Sequence, residues 1–121
     1  MELAKKECIP CQGGIPPLSE IEIPPLLNQL RQDWQVVENH HLTKEYRFKN
    51  FKQSMEVANL FGDVAEAVGH HPDLLISFSL LCVTIHTHKI DGLSVSDFIL
   101  AAKLEEQLAH WHEISLMEVP G

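Results

Sequence analysis

Residues 74 to 88, LLISFSLLCVTIHTH, constrain the fold more than any other stretch of the chain. The run is rich in Leu, Ile, Val and Phe, and it is short for a buried helix. Those features predict one long β-strand. Alternate residues of a strand share a face, so His86 and His88 fall together, as do Phe78, Cys82 and Thr84. Such a strand needs sheet partners and a helix to cover it, and the rest of the sequence must supply them. Histidines stand at both ends of the run, His70 and His71 before it and His86 and His88 within its last turn of sequence. The remaining four of the eight histidines are also paired, as His40/His41 and His110/His112.

The partners are legible upstream. WQVVEN, the His40/His41 pair and LTKEYRF read as a hairpin, with Trp34, Val36, Leu42, Tyr46 and Phe48 at strand spacing and Asn39 with the histidines at an exposed turn. Asn50 followed by Gln53 resembles a capping box. Behind it Phe51, Met55, Ala58, Phe61, Ala65 and Val68 recur at steps of three and four. That spacing predicts an amphipathic helix closed by Gly69 and Pro72. Gly92 marks a turn, and Ser94 opens a last helix through Phe98, Ala101, Ala102, Leu104, Leu108 and Trp111. His110 and His112 fall near its end, where the helix dipole favours a cation. Pro25 near a first turn predicts a short helix over about 25–32.

The expected order is therefore helix, strand, strand, helix, strand, helix. This is an α+β domain with an antiparallel sheet and its helices packed on one face. Residues 1–18, with Pro10, Gly13, Gly14, Pro16 and Pro17, are expected as an extended or mobile arm. Residues 19–115 then form a single domain and 116–121 a tail. Open sheet edges invite pairing between chains, so a homo-oligomer is expected.

Charge and hydropathy remove several function classes. A net charge of −8 with nine scattered basic residues gives no surface for nucleic acid, which needs clustered Lys and Arg. No stretch reaches the roughly 20 apolar residues that span a bilayer, and MELAKKECIPCQGG lacks the apolar core of a secretory signal. A cytoplasmic protein without a membrane partner is expected. Cys8 and Cys11 form a CxxC, but no second pair stands at a finger-like distance, and Cys82 is alone.

The chemistry concentrates in His70, His71, His88 and Asp97, all at the ends of elements, where a scaffold exposes reactive side chains. Imidazole moves protons at neutral pH, and a carboxylate beside it can orient the ring. Two other interpretations stay open on spacing alone. His86 and His88 with His70 or His71 could hold a metal ion, and Asp97 could be no more than the cap of its helix. Neither a nucleotide-binding glycine loop nor a placed nucleophile is evident.

The spacing E66-x3-H70-H71-P72-x5-F78-x9-H88-x8-D97 resembles the signature of the pterin-4a-carbinolamine dehydratases, and Trp34, YRFKNF and DGLSVSD resemble the same family. The likeness covers roughly residues 19 to 110. It implies a four-stranded antiparallel sheet with helices on one side, assembled as a homodimer or homotetramer. It also implies a hydro-lyase that removes water from 4a-hydroxytetrahydropterin in pterin recycling, with neither metal nor organic cofactor. Carried over by position, His70, His71 and His88 form the acid–base set, with His71 or His88 as the acid. Asp97 orients a histidine, and Glu66, Pro72 and Phe78 support or contact the substrate. The family often has Trp, Asn and Tyr where this chain has DLLISF. Phe78 thus keeps the ring without a hydroxyl, and Leu74 and Ile76 make the wall more apolar. That departure leaves room for a related pterin enzyme or binding protein linked to molybdopterin metabolism.

Overall fold

The computed structural model describes residues 2–9, 15–30 and 33–117, with side chains through residue 113. Its core is an antiparallel sheet of four strands: β1 (Gln35–Val37), β2 (His41–Arg47), β3 (Asp73–Ile76) and β4 (Leu80–Ile85). They lie side by side in the order β1-β2-β4-β3. The helices are α1 (Ile23–Leu27), α2 (Phe51–Val68) and α3 (Val95–Met117), and short 3-10 turns occupy Leu3–Lys5 and His88–Ile90.

Alternation along the strands explains which face is covered. Leu81, Val83 and Ile85 of β4 and Leu42 and Tyr46 of β2 are buried, joining Val57 and Phe61 of α2 and Phe98, Leu100 and Leu104 of α3 in one cluster. The intervening residues Thr43, Glu45, Cys82 and Thr84 point to the opposite, uncovered face. Burying a side chain such as Phe61 in that cluster contributes roughly 2–3 kcal/mol of transfer free energy.

The long strand expected over 74–88 is instead a hairpin. Its two arms pair Asp73 with Thr84 and Ile76 with Leu81. A turn at Ser77, Phe78 and Ser79 is closed by Ser77 N–H donating to Leu80 O at 2.8 Å. Since His88 begins a 3-10 turn, it does not share a strand face with His86. The fourth strand implied by the family likeness is thereby accounted for.

Two further expectations are revised. α1 spans Ile23–Leu27 with proline in its first turn, shorter than the helix expected over 25–32, of which 31 and 32 lie outside the described residues. His110 and His112 sit within α3 and not at its end, because the helix continues to Met117. The N-terminal arm, where described, is docked. Leu3 is fully buried, Lys103 Nζ donates to Ala4 O at 2.7 Å, and Ile9 and Ser96 exchange two hydrogen bonds at 3.0 and 3.2 Å. Leu3 supplies the apolar anchor that the Pro- and Gly-rich composition obscured.

The two helix ends that matter most are chemically fixed. Asn50 Oδ1 accepts from Gln53 N–H at 2.9 Å, and Gln53 Oε1 accepts from Lys49 N–H at 3.0 Å, a capping box displaced by one residue. At the far end Gly69 takes φ 71°, and the N–H groups of Gly69 and His70 both donate to Ala65 O. That left-handed cap turns the chain out of α2 and releases His70 and His71 beside Pro72.

Candidate active site

Two chain segments meet at the site: the exit from α2 and the link between β4 and α3. Gly69, His70, His71 and Pro72 from the first, and His86, Thr87 and His88 from the second, line a cleft of about 380 Å³. Asp97 lies beneath it, fully buried in the first turn of α3.

Asp97 organises the floor through four contacts. Its Oδ1 accepts from His70 Nε2 at 2.5 Å. Oδ2 accepts from Thr87 Oγ1 at 2.9 Å and from the Ser94 N–H at 2.7 Å, while the Asp97 N–H donates to Ser94 O at 3.1 Å. The Ser94 hydroxyl turns to Thr87 Oγ1 at 2.8 Å, which leaves the Thr87 proton for the carboxylate. The carboxylate that caps the helix is therefore the one that holds a histidine. With Nε2 engaged, His70 has Nδ1 as its remaining proton site.

His71 is held more loosely. Its Nε2 pairs with Glu66 Oε1 at 2.9 Å, and both side chains are largely exposed. Glu66 sits in the last turn of α2, so the pair spans the cap at Gly69. His71 and Pro72 also border an adjoining cleft of about 430 Å³, which Glu66, Leu74 and Ile76 help to line. The two apolar residues that depart from the family pattern thus stand beside the histidines.

His88 projects from a small loop. Thr87 and Gly92 bridge across it, with Thr87 N–H donating to Gly92 O at 2.8 Å, and Asp91 takes a left-handed conformation at φ 49°. A Cβ on Gly92 would lie 2.7 Å from Pro17 Cβ, so only glycine lets residues 15–18 pack against this loop.

Six of the seven residues singled out from the sequence are gathered here: His70, His71, Pro72 and His88 around the cleft, Glu66 beside it and Asp97 below. Phe78 is not. It caps the β3–β4 turn, is 71% exposed, and borders neither cleft. Its likeness to the family aromatic shows only in sequence.

The structure adds residues that spacing missed. Thr87 carried no signal, being one hydroxyl in an apolar run. His86 stands outside the family spacing, yet its ring centre lies 4.0 Å from that of His88. Burial first, then the neighbouring His88 and His40, push His86 below the usual imidazole value. The His40/His41 pair, expected as exposed turn residues, is half-buried. His40 Nε2 bonds Asp91 Oδ1 at 2.7 Å, and this contact holds the Asp91 carboxyl below its ordinary value. Among the described residues, no group of three or more His, Cys, Asp or Glu side chains is placed to hold a metal ion. Cys11 lies outside the described residues. Cys8 donates its thiol to Ser96 O at 3.6 Å, and burial raises its pKa.

Comparison with known proteins agrees with this architecture. A family model described as pterin 4 alpha carbinolamine dehydratase matches residues 16–107. A protein of Alkaliphilus metalliredigens named "Putative pterin-4-alpha-carbinolamine dehydratase" is 51% identical over 105 residues, covering 87% of this chain and 95% of its own length. A Rickettsia bellii protein of the same name is 53% identical over 103 residues, covering 85% and 91%. Among solved structures, a transcriptional coactivator/pterin dehydratase from Brucella melitensis superposes with TM-score 0.69 at 27% identity, over 74% of this chain and 96% of that one. With its four-stranded sheet and its matched sequence, this chain belongs to the pterin 4 alpha carbinolamine dehydratase family.

Proposed function

We propose that this chain is a hydro-lyase that dehydrates a 4a-hydroxytetrahydropterin to the quinonoid dihydropterin by histidine acid–base catalysis, in pterin recycling. The observation that carries the proposal is the convergence of His70, His71 and His88 on one cleft over a buried carboxylate. The names borne by relatives at about half identity support the same reaction.

The chemistry asks for little else. A proton is delivered to the 4a-hydroxyl, the C4a–O bond breaks, and water leaves. The N5–H proton is withdrawn, and its electron pair forms the C4a=N5 bond. No electrons are gained or lost, and no covalent intermediate is needed. His71 or His88 acts as the acid, since both border the cleft and reach solvent for reprotonation. Another of the three histidines takes the N5 proton. His70 is the best oriented, because Asp97 fixes its Nε2 and leaves Nδ1 for exchange. Glu66 steadies His71, and Pro72 disfavours helical backbone at His71.

The protein is further proposed to act in the cytoplasm as a homodimer or homotetramer. No helix among the described residues is long and apolar enough to cross a membrane. Edge strands β1 and β3 and the 65%-exposed Leu75 offer surface for a second copy.

The test is the rate of 4a-hydroxytetrahydropterin dehydration, followed by absorbance, for wild type beside His88→Ala. Wild type should accelerate it, and the variant should lose roughly 100-fold or more of the activity while keeping its fold. Normal turnover in His88→Ala would sink the site assignment. A folded wild type without effect would move the proposal to another pterin, molybdopterin metabolism first.

A further inference from the structure

Beside the acid–base set lies a row of imidazoles to which the reaction gives no task. His86 follows the last residue of β4 and lines the same cleft as His88. Its ring centre is 4.0 Å from that of His88, with the planes inclined by 56°. On its other side the His40 ring lies 4.9 Å away at 37°. His40 is itself fixed at both nitrogens, by Asp91 Oδ1 at 2.7 Å and by His41 Nδ1 at 3.1 Å. His86 is therefore held between a ring anchored by two hydrogen bonds and a ring that faces the cleft.

His88 needs such support. It is exposed and opens a 3-10 turn of three residues, a site where an imidazole can take several rotamers. Proton transfer demands one placement, and a misplacement of about 1 Å can cost on the order of 100-fold in rate.

We propose that His86 is a positioning residue for His88: backed by His40 and Asp91, its ring fixes the His88 imidazole in the cleft. The consequence for rate rests on the dehydratase function proposed above, whereas the placement of the ring does not. Four groups face His86: His88 from the 3-10 turn, His40 from the β1–β2 turn, Asp73 from β3 and Asp97 from α3. Burial, His88 and His40 lower its proton affinity, while the two carboxylates oppose them less strongly. The His86 ring thus backs His88 in an environment that disfavours a positive charge on His86 itself.

The test compares His86→Ala, His86→Phe and His40→Ala with wild type in the full-length chain. It measures kcat and KM for 4a-hydroxytetrahydropterin, and the chemical shifts of the His88 ring protons, assigned with His88→Gln. His86→Ala should lower kcat roughly tenfold with KM within about twofold, and should abolish the ring-current shift at His88. His86→Phe keeps a ring in place and should restore most of both. His40→Ala should give a smaller loss of the same kind, and it decides the matter if His86→Ala folds poorly. A raised KM with unchanged kcat would make His86 a substrate contact and overturn the proposal, as would an unmoved His88 resonance. Should wild type fail to dehydrate the pterin, the reaction assignment falls, while the His88 resonances still decide the positioning role.

Discussion

His70 Nε2 lies 2.5 Å from Asp97 Oδ1, so one hydrogen bond ties the exit of α2 to the first turn of α3 across 27 residues of sequence. The carboxylate has no slack: its second oxygen is taken by Thr87 and by the backbone of Ser94. Helix capping and histidine placement therefore depend on the two oxygens of one carboxylate.

Asp97→Asn should separate these duties. The amide keeps one oxygen to accept with, but its NH2 must face at least one donor among His70, Thr87 and the Ser94 N–H. Folding should weaken by about 1–3 kcal/mol. The rate should fall by roughly 100-fold or more, because His70 loses the acceptor that fixes its tautomer. Urea unfolding beside kcat checks both. Full kcat in a folded Asp97→Asn would detach this carboxylate from the chemistry.

Glu66 makes the opposite case. Its bond to His71 is solvent-exposed on both sides, and exposed pairs of this kind contribute about 0.2–1 kcal/mol. Glu66→Gln should leave the thermal midpoint almost unchanged and lower kcat by less than about tenfold. A loss as large as that of Asp97→Asn would mean that Glu66 acts on the substrate directly.

How much of this was legible in the sequence depended on whether one residue carried one signal. Asn50, Gly69 and Ser94 are local punctuation: α2 begins and ends, and α3 begins, where they imply. The β3–β4 hairpin was hidden because its apolar residues run without a break. Only Ser77 and Ser79 around Phe78 mark the turn. In a single strand the buried residues would keep one parity. Here Leu74 and Ile76 pack inward before the turn, and Leu81, Val83 and Ile85 after it. Both parities are apolar, so the shift in phase left no trace in hydropathy. The candidate acid–base residues were visible because a family spacing names them. His86 and Thr87 were not, since what makes them matter is a neighbour brought close by folding: His88 for one and Asp97 for the other.

A second carboxylate of α3 should govern stability alone. Buried Glu105 Oε1 accepts from Trp34 Nε1 at 2.9 Å, Tyr46 Oη at 2.7 Å and Lys44 Nζ at 2.5 Å, joining α3 to β2 and to the residue before β1. Burial and the Glu105 charge together raise the Tyr46 pKa far above its ordinary value, so the phenol stays a donor. Glu105→Ala would leave a nearly buried ammonium and two buried donors without an acceptor. Unfolding free energy should drop by about 3–5 kcal/mol, while kcat per folded molecule stays the same. A loss below about 1 kcal/mol in urea titration would show that the charge of Lys44 is met by water.

The pH dependence of folding should carry the signature of His86. Its folded-state pKa lies below the ordinary imidazole value of 6.5. Between the two values the unfolded chain binds a proton that the folded chain refuses, so stability rises with pH through that window. The contribution is complete above 6.5, is lost progressively as the pH falls below it, and levels off beneath the folded value. Asp91 shifts downward as well, but its contribution fails only in the more acid range, as the pH drops below its ordinary 3.8. Between pH 7 and 5 the urea midpoint of wild type should therefore fall more steeply than that of His86→Gln, which cannot take the proton. The other seven histidines are common to both proteins, so the difference between the two curves isolates this ring. Parallel curves would mean that His86 protonates in the fold as readily as in the open chain, and that the imidazole row accommodates the charge.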